Sequence, residues 1–380
     1  MKILGKHLII ILFNTLLIPV SLAQESKFDY QVILETRGEY NDIDKSSKVN
    51  PDNQMNLDEF TSLSQFYPIL GFKNTWGDLV TKLQVEANIK NYNFDKSATD
   101  FSFQELYTQF EFKGKHFFVF GKKRLDWGTG MLWNPTNFFI QKDPIRTQNR
   151  LEGIFMLSYS YLFGQNTLSF YLFPEKKGKD FKGAIKYDYS QERVDASLSF
   201  VEYGKYQQFG YDVSYGGDLF TAYSEGVLKN YTKSFKLDQD GVVIFPEQRL
   251  KKFRSEFVLG TTILFNPHIS FSGEYRFRED YLGKKDVEIY KRYLPAHSEI
   301  FDPLSIGKHT LFGNIEYKET YSRWSFNLRS YYDVSSRQLT ISPMGMLSLN
   351  NFQIELTGLF YNNAISIYNL QTSLLVSCFF

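Results

Sequence analysis

The chain has almost no cysteine: Cys378 is the single one in 380 residues. Disulfides within the chain and thiolate metal clusters are therefore excluded. Proline is held to 11 residues, and neither sign of charge prevails, with 43 Lys and Arg against 42 Asp and Glu and a formal net charge of +1. That balance argues against nucleic acid as a partner. Beyond residue 23 the sequence also lacks any run approaching the roughly 20 apolar residues that a helix needs to cross a bilayer, so a membrane could be crossed only by strands. Metal and phosphate motifs are missing as well. His116, His268, His297 and His309 lack zinc-ligand spacing, Asp42-Ile43-Asp44 and Asp238-Gln239-Asp240-Gly241 lack the remaining ligands of a calcium loop, and no Gly-rich phosphate loop occurs. No metal and no cofactor is expected.

The one apolar run stands at the beginning. Lys2 and Lys6 give a basic start, Leu8 to Phe13 and Leu16-Leu17-Ile18 an apolar centre, and Ser21-Leu22-Ala23 small residues at a cleavage position. This predicts a secretory signal peptide over 1–23 and an exported domain over 24–380, with no Cys after the cleavage point to accept a lipid. Asn14, Pro19 and Ser21 interrupt the run too often for an anchoring helix.

What the sequence has in abundance is aromatic residues, 37 Phe and 26 Tyr, and in many segments apolar residues alternate with polar ones. Phe28, Tyr30, Val32 and Leu34 share one strand face, and Asp29, Gln31, Glu35, Arg37 and Glu39 share the other apart from Ile33. Leu83, Val85, Ala87 and Ile89 oppose Lys82, Gln84, Glu86 and Asn88, and Phe352, Ile354, Leu356 and Phe360 oppose Gln353 and Glu355. A period of two belongs to strands that separate an apolar medium from water. Tight turn signals at Gly77-Asp78, Gly114-Lys115, Gly164-Gln165, Gly216-Gly217, Asn266-Pro267 and Asn350-Asn351 alternate with longer polar connections, of which 41–65, 125–152, 227–250 and 279–308 are the longest. Short turns on one rim and long loops on the other characterise outer-membrane barrels. The expectation is an all-β chain forming one transmembrane antiparallel β-barrel of about 18 strands (16–18), with both termini periplasmic. The count is least definite between 167 and 226. The alternating residues from Tyr368 to Cys378, followed by Phe380, resemble the terminal strand that the bacterial barrel-assembly machinery recognises. Outer-membrane lipid, lipopolysaccharide and that machinery are the expected partners.

One segment breaks the period. Arg124-Leu125-Asp126-Trp127-Gly128-Thr129-Gly130-Met131-Leu132-Trp133-Asn134-Pro135-Thr136-Asn137-Phe138-Phe139, continuing to Asp143-Pro144 and Arg150, holds two glycines and two X-Pro steps, yet it is too apolar for an exposed loop. Around residues 121–150 the chain resembles the alginate-export and related porin-like outer-membrane barrels, in which an Arg, a Trp-Gly step and a later Asn-Pro follow a strand. The resemblance implies a loop folded into the lumen. Arg124, Asp126, Asn134, Asn137 and Arg150 would present polar groups at a constriction, and Trp127 and Trp133 could stack on flat solute surfaces or belong to an interfacial girdle. Lys122, Arg276, Arg278, Arg323 and Arg329, with Arg124, fall on inferred lumen faces and would favour anions, although Glu86, Glu105, Glu111, Glu274 and Glu316 point inward too. These features predict a porin-like channel for passive diffusion of small hydrophilic solutes. The rival is a barrel for surface polysaccharide export or attachment, with glycan as its ligand. An enzyme is not expected: His268 and Ser270, two apart on a strand, resemble the His-x-Ser of an outer-membrane phospholipase, but here the pair falls on the lumen face.

Overall fold

In the computed structural model the residues described are 25–45, 52, 58–76, 79–92, 96–138, 153–174, 182–204, 206–231, 236–237, 243–244, 252–280, 307–319, 323–362 and 368–379. Residues 1–23, expected to be a signal peptide, and Phe139, Arg150 and Phe380 lie outside them, as does the side chain of Glu86. The regular elements are strands throughout. The first five are β1 (Glu25–Ile43), β2 (Phe60–Trp76), β3 (Leu79–Tyr92), β4 (Lys96–Phe112) and β5 (His116–Lys123). After a long connection follow β6 (Ile154–Phe163), β7 (Asn166–Phe173), β8 (Lys182–Gln191), β9 (Val194–Tyr203), β10 (Tyr206–Gly216) and β11 (Phe220–Lys229). A two-residue pair, β12 (Lys236–Leu237) and β13 (Val243–Ile244), stands apart from the main sheet. The rest are β14 (Arg254–Asn266), β15 (Ile269–Arg278), β16 (His309–Lys318), β17 (Trp324–Asp333), β18 (Gln338–Leu349), β19 (Phe352–Asn362) and β20 (Tyr368–Phe379).

Each strand of the main sheet pairs antiparallel with the one before and the one after, 18 strands in all. The first and last also pair, from Ile33 opposite Phe379 to Ile43 opposite Tyr368, which closes the sheet into a barrel with no edge strand. The turn signals fall where the sequence placed them: β4–β5, β6–β7, β14–β15 and β18–β19 meet on one rim through two or three residues, and the long connections lie on the other. In the stretch left indefinite by its sequence, 167–226, the described residues form five regular strands, β7 to β11, with their turns. Both in-strand prolines sit at gaps in a ladder. Pairing of β2 with β3 skips from Phe66 to Ile69, passing Pro68, and pairing of β18 with β19 skips from Ile341 to Met344, passing Pro343. Proline has no N–H to donate, so it is tolerated where no partner waits.

Alternation decides which face meets lipid. Phe118 and Phe120, Phe209 and Tyr211, Leu356 and Phe360 are exposed on the outer surface, while Val119, Gln208, Asp212 and Glu355 on the alternate positions are buried within the barrel. Outward rings pack across strands, as in Phe200 against Phe209 with centroids 4.7 Å apart. Outward glycine is covered by a neighbouring ring: the Phe271 side chain lies over Gly273 and reaches Gly313 on the adjacent strand. Near the rim of turns His116 shares a hydrogen bond of 2.9 Å with the Tyr159 hydroxyl, and near the other rim His309 does so with Tyr275 at 2.7 Å. Polar ends with apolar bodies suit the two levels where hydrocarbon meets water.

Candidate pore constriction

β5 ends at Lys123, and among the described residues the next strand begins at Ile154. At Gly121 a Cβ would lie 2.2 Å from the Leu106 carbonyl and φ is +123°, so this approach to the end of β5 requires glycine. Beyond it the chain leaves the wall, the Arg124 N–H donating to Glu105 of β4 at 3.2 Å. Trp127 then enters a pocket built by the inner faces of five consecutive strands: Val119, Met156, Phe173, Ala184 and Val201. Its ring meets Tyr171 edge-on at 5.3 Å. Six residues later Trp133 fills a second pocket of Tyr223, Val258, Phe312 and Tyr331, with Phe312 edge-on at 6.3 Å and the Arg276 guanidinium 5.5 Å from its ring centre. In chain order these pockets run from β5 to β17, so the segment lies along one long arc of the inner wall.

Between the indoles the backbone makes no strand ladder, and its N–H groups turn to the wall. Thr129 and Gly130 donate to Glu225 of β11 at 2.9 and 3.0 Å, and Thr136 gives it both its N–H (2.8 Å) and its hydroxyl (2.6 Å). Met131, Leu132 and Trp133 donate to Glu274 of β15, which also accepts from the Tyr223 hydroxyl. Gln208 of β10, itself held by Tyr231, donates to the carbonyls of Pro135 (3.4 Å) and Thr136 (3.3 Å). The Asn-Pro-Thr-Asn stretch is a turn, closed by the Asn137 N–H on the Asn134 carbonyl at 3.1 Å. Asn134 donates to the Trp127 carbonyl at 3.4 Å and Asn137 reaches Asp126 at 3.5 Å, tying the two ends of the segment together.

The residues singled out from sequence are placed as follows. Trp127 is 3% exposed and Trp133 7%, so both ring faces are occupied by wall side chains rather than open to the lumen. Asp126 is exposed, and Arg124 is half-buried with no hydrogen-bond partner on Nε. Lys122, in register with Leu106 and Phe155, is buried, unlike the exposed Phe118 and Phe120 two and four residues before it. Arg276 lies on the inner face, bonded to Glu256 through Nε at 2.9 Å, while Lys229 approaches the same carboxylate at 2.7 Å. Arg278 is buried opposite Glu256. Arg329 faces inward between two neutral partners, Asn314 and Ser342, and Arg323 is exposed at the rim of turns. Ser270 shares the inner face with Ser272 and Glu274, and His268 is exposed in the preceding turn. Among the described residues no group of three or more His, Cys, Asp or Glu is disposed to hold a metal ion.

Sequence reasoning missed Glu225, Gln208, Thr136 and Tyr223. Alternation put Glu274 inside without marking it from Glu105 or Glu316. The one local signal for the contact is the pair Gly128 and Gly130: a Cβ on Gly128 would lie 2.5 Å from both Glu225 oxygens, and one on Gly130 would lie 1.9 Å from the Trp133 carbonyl oxygen.

No protein-family model matches the chain, and no curated protein matches it. Solved structures do. OccK11 (OpdR) of Pseudomonas aeruginosa is 11% identical with a TM-score of 0.57, covering 93% of this chain and 95% of its own. OccAB1 of Acinetobacter baumannii is 12% identical with a TM-score of 0.57, covering 94% and 97%. A mutant of the Rh. blastica porin is 8% identical with a TM-score of 0.50, covering 93% and 100%. At such identities the likeness is one of fold, a porin-like barrel matched over nearly its whole length.

Proposed function

We propose that the chain is an integral outer-membrane channel through which small hydrophilic solutes diffuse passively. The observation that carries this reading is the closed barrel of 18 strands, apolar outside and polar inside, with one connection laid along a single arc of its inner wall. Barrels of 16 to 18 strands leave an aqueous passage, and a segment lying against the wall narrows it without filling it. Residues 1–23 would direct export, the rim of turns and both termini would face the periplasm, and the outer aromatic surface would contact lipid and lipopolysaccharide. The alternative, surface polysaccharide export or attachment, rests on the sequence pattern around residues 121–150 alone. Single-channel recording of the refolded full chain separates them: steady ohmic conductance with small salts is expected for the channel, and a barrel that folds but carries no current would overturn it. The same preparation should show a strand-type circular dichroism spectrum and heat-modifiable gel migration.

Selectivity should follow which cations are unpaired. Arg276 shares Glu256 with Lys229, and Lys186 is paired with Asp188, whereas Arg329 lies between uncharged neighbours. Removing a free charge from a narrow passage changes the local potential more than removing one already compensated. Arg329→Ala is therefore expected to lower the anion-to-cation permeability ratio by a larger factor than Arg276→Ala, and the difference should shrink in high salt. Reversal potentials in a salt gradient measure it, and equal shifts for the two variants would contradict the assignment.

A further inference from the structure

We infer that Glu225 and Glu274 act as a two-carboxylate latch, fixing where the segment 124–138 lies and hence how wide the passage is; this rests on the channel reading above. Six backbone N–H groups, those of residues 129 to 133 and 136, have no ladder to join, and leaving such donors buried and unpaired costs about 1–3 kcal/mol each. An ionised carboxylate offers about four acceptor positions on two oxygens, and bonds to it are roughly twice as strong as neutral ones. The two glutamates accept all six. Glu225 takes Thr129, Gly130 and Thr136, and Glu274 takes Met131, Leu132 and Trp133, with Leu132 3.1 Å from each Glu274 oxygen.

The surrounding geometry fits a carboxylate and little else. Glu225 is fully buried, and the backbone at Gly128 comes so near its oxygens that no side chain could be added there. On the wall beneath, Gly210 leaves the space that the Thr136 methyl occupies: a Cβ there would lie 3.1 Å from Thr136 Cγ2. The nearby cations Lys229 and Arg276 are held by Glu256. The segment is thus an anion-binding turn whose anions are supplied by the wall, and the two glutamates are positioning residues rather than solute-binding ones. The competing account is that the two indole pockets alone hold the segment.

Amide hydrogen exchange of the full chain in detergent, followed in peptides covering 125–138, decides between them, with single-channel recording alongside. In Glu225→Ala and Glu274→Ala the exchange of these amides should become roughly tenfold faster or more, and conductance should fluctuate between levels. Added formate, compared with chloride at the same ionic strength, should refill the Glu225→Ala site and restore slow exchange. Glu225→Gln, close in size but with one acceptor oxygen, should fall between wild type and alanine, and it provides the test should the alanine variants fail to show heat-modifiable folding. Wild-type exchange in a folded Glu225→Ala or Glu225→Gln barrel overturns the latch, as does failure of formate to slow exchange. A wild-type barrel that conducts nothing overturns the channel reading and leaves the latch to be judged by exchange alone.

Discussion

Deleting residues 128–148 should leave a folded barrel whose single-channel conductance is several times that of the wild type. No strand is shortened by the deletion, because β5 ends at Lys123 and β6 begins at Ile154, and their ladder runs from His116 opposite Tyr161 to Lys123 opposite Ile154. What is lost is the packing of Trp133 among Tyr223, Val258, Phe312 and Tyr331, on the order of 3–5 kcal/mol by comparison with aromatic truncations in cores. Trp127 remains to cover its own pocket. Glu225 and Glu274 lose their backbone partners but gain water, and Glu274 keeps the Tyr223 hydroxyl, so neither becomes a buried unpaired charge. With residues 128–148 gone, this obstruction is removed and conductance rises with the cross-section of the passage. A folded deletion variant with wild-type conductance would show that the passage is narrowed elsewhere and that the segment does not set it.

Leu374→Pro should abolish assembly, while Leu374→Ala at the same position should be nearly silent. Leu374 lies in the middle of β20, opposite Gly38 of β1 on one side and Leu356 of β19 on the other, where the barrel closes. Its side chain faces lipid and is exposed, so trimming it to alanine removes little packing. Proline at this position removes an N–H and leaves a neighbour's carbonyl unsatisfied in hydrocarbon, at a cost of several kcal/mol. The contrast with Pro343 is instructive: that residue is accommodated because the ladder beside it is already open. Heat-modifiable protein in the outer-membrane fraction measures the effect. Proline and alanine variants that insert equally would show that the seam between β20 and β1 is not what closes the barrel.

Much of this architecture is legible in the chain. Leu34, Leu356 and Phe360 face outward and Glu35 and Glu355 inward, as alternation requires, and turn residues such as Gly114, Gly164 and Asn350 adopt the positive φ that hairpin turns demand. The errors have local causes. Trp127 and Trp133 read as surfaces for solute because they stand among polar residues. Nothing in that stretch reveals that Val119, Met156, Phe173, Ala184 and Val201, from five different strands, converge on the first of them.

The sequence by itself determined that the chain is a barrel, which residues point inward, and which connection departs from the wall. Those features depend on a period of two and on short turn signals, and each is set within about ten residues because one strand face must meet lipid and the other water. Tertiary structure alone decided what holds that connection. Thr136 and Glu225 are 89 residues apart and Met131 and Glu274 are 143 apart, and an inward glutamate looks the same in sequence whether it faces water or three amide groups. Which inward residues meet is fixed by barrel closure and by the register accumulated over many strand pairs, and no local pattern encodes that sum.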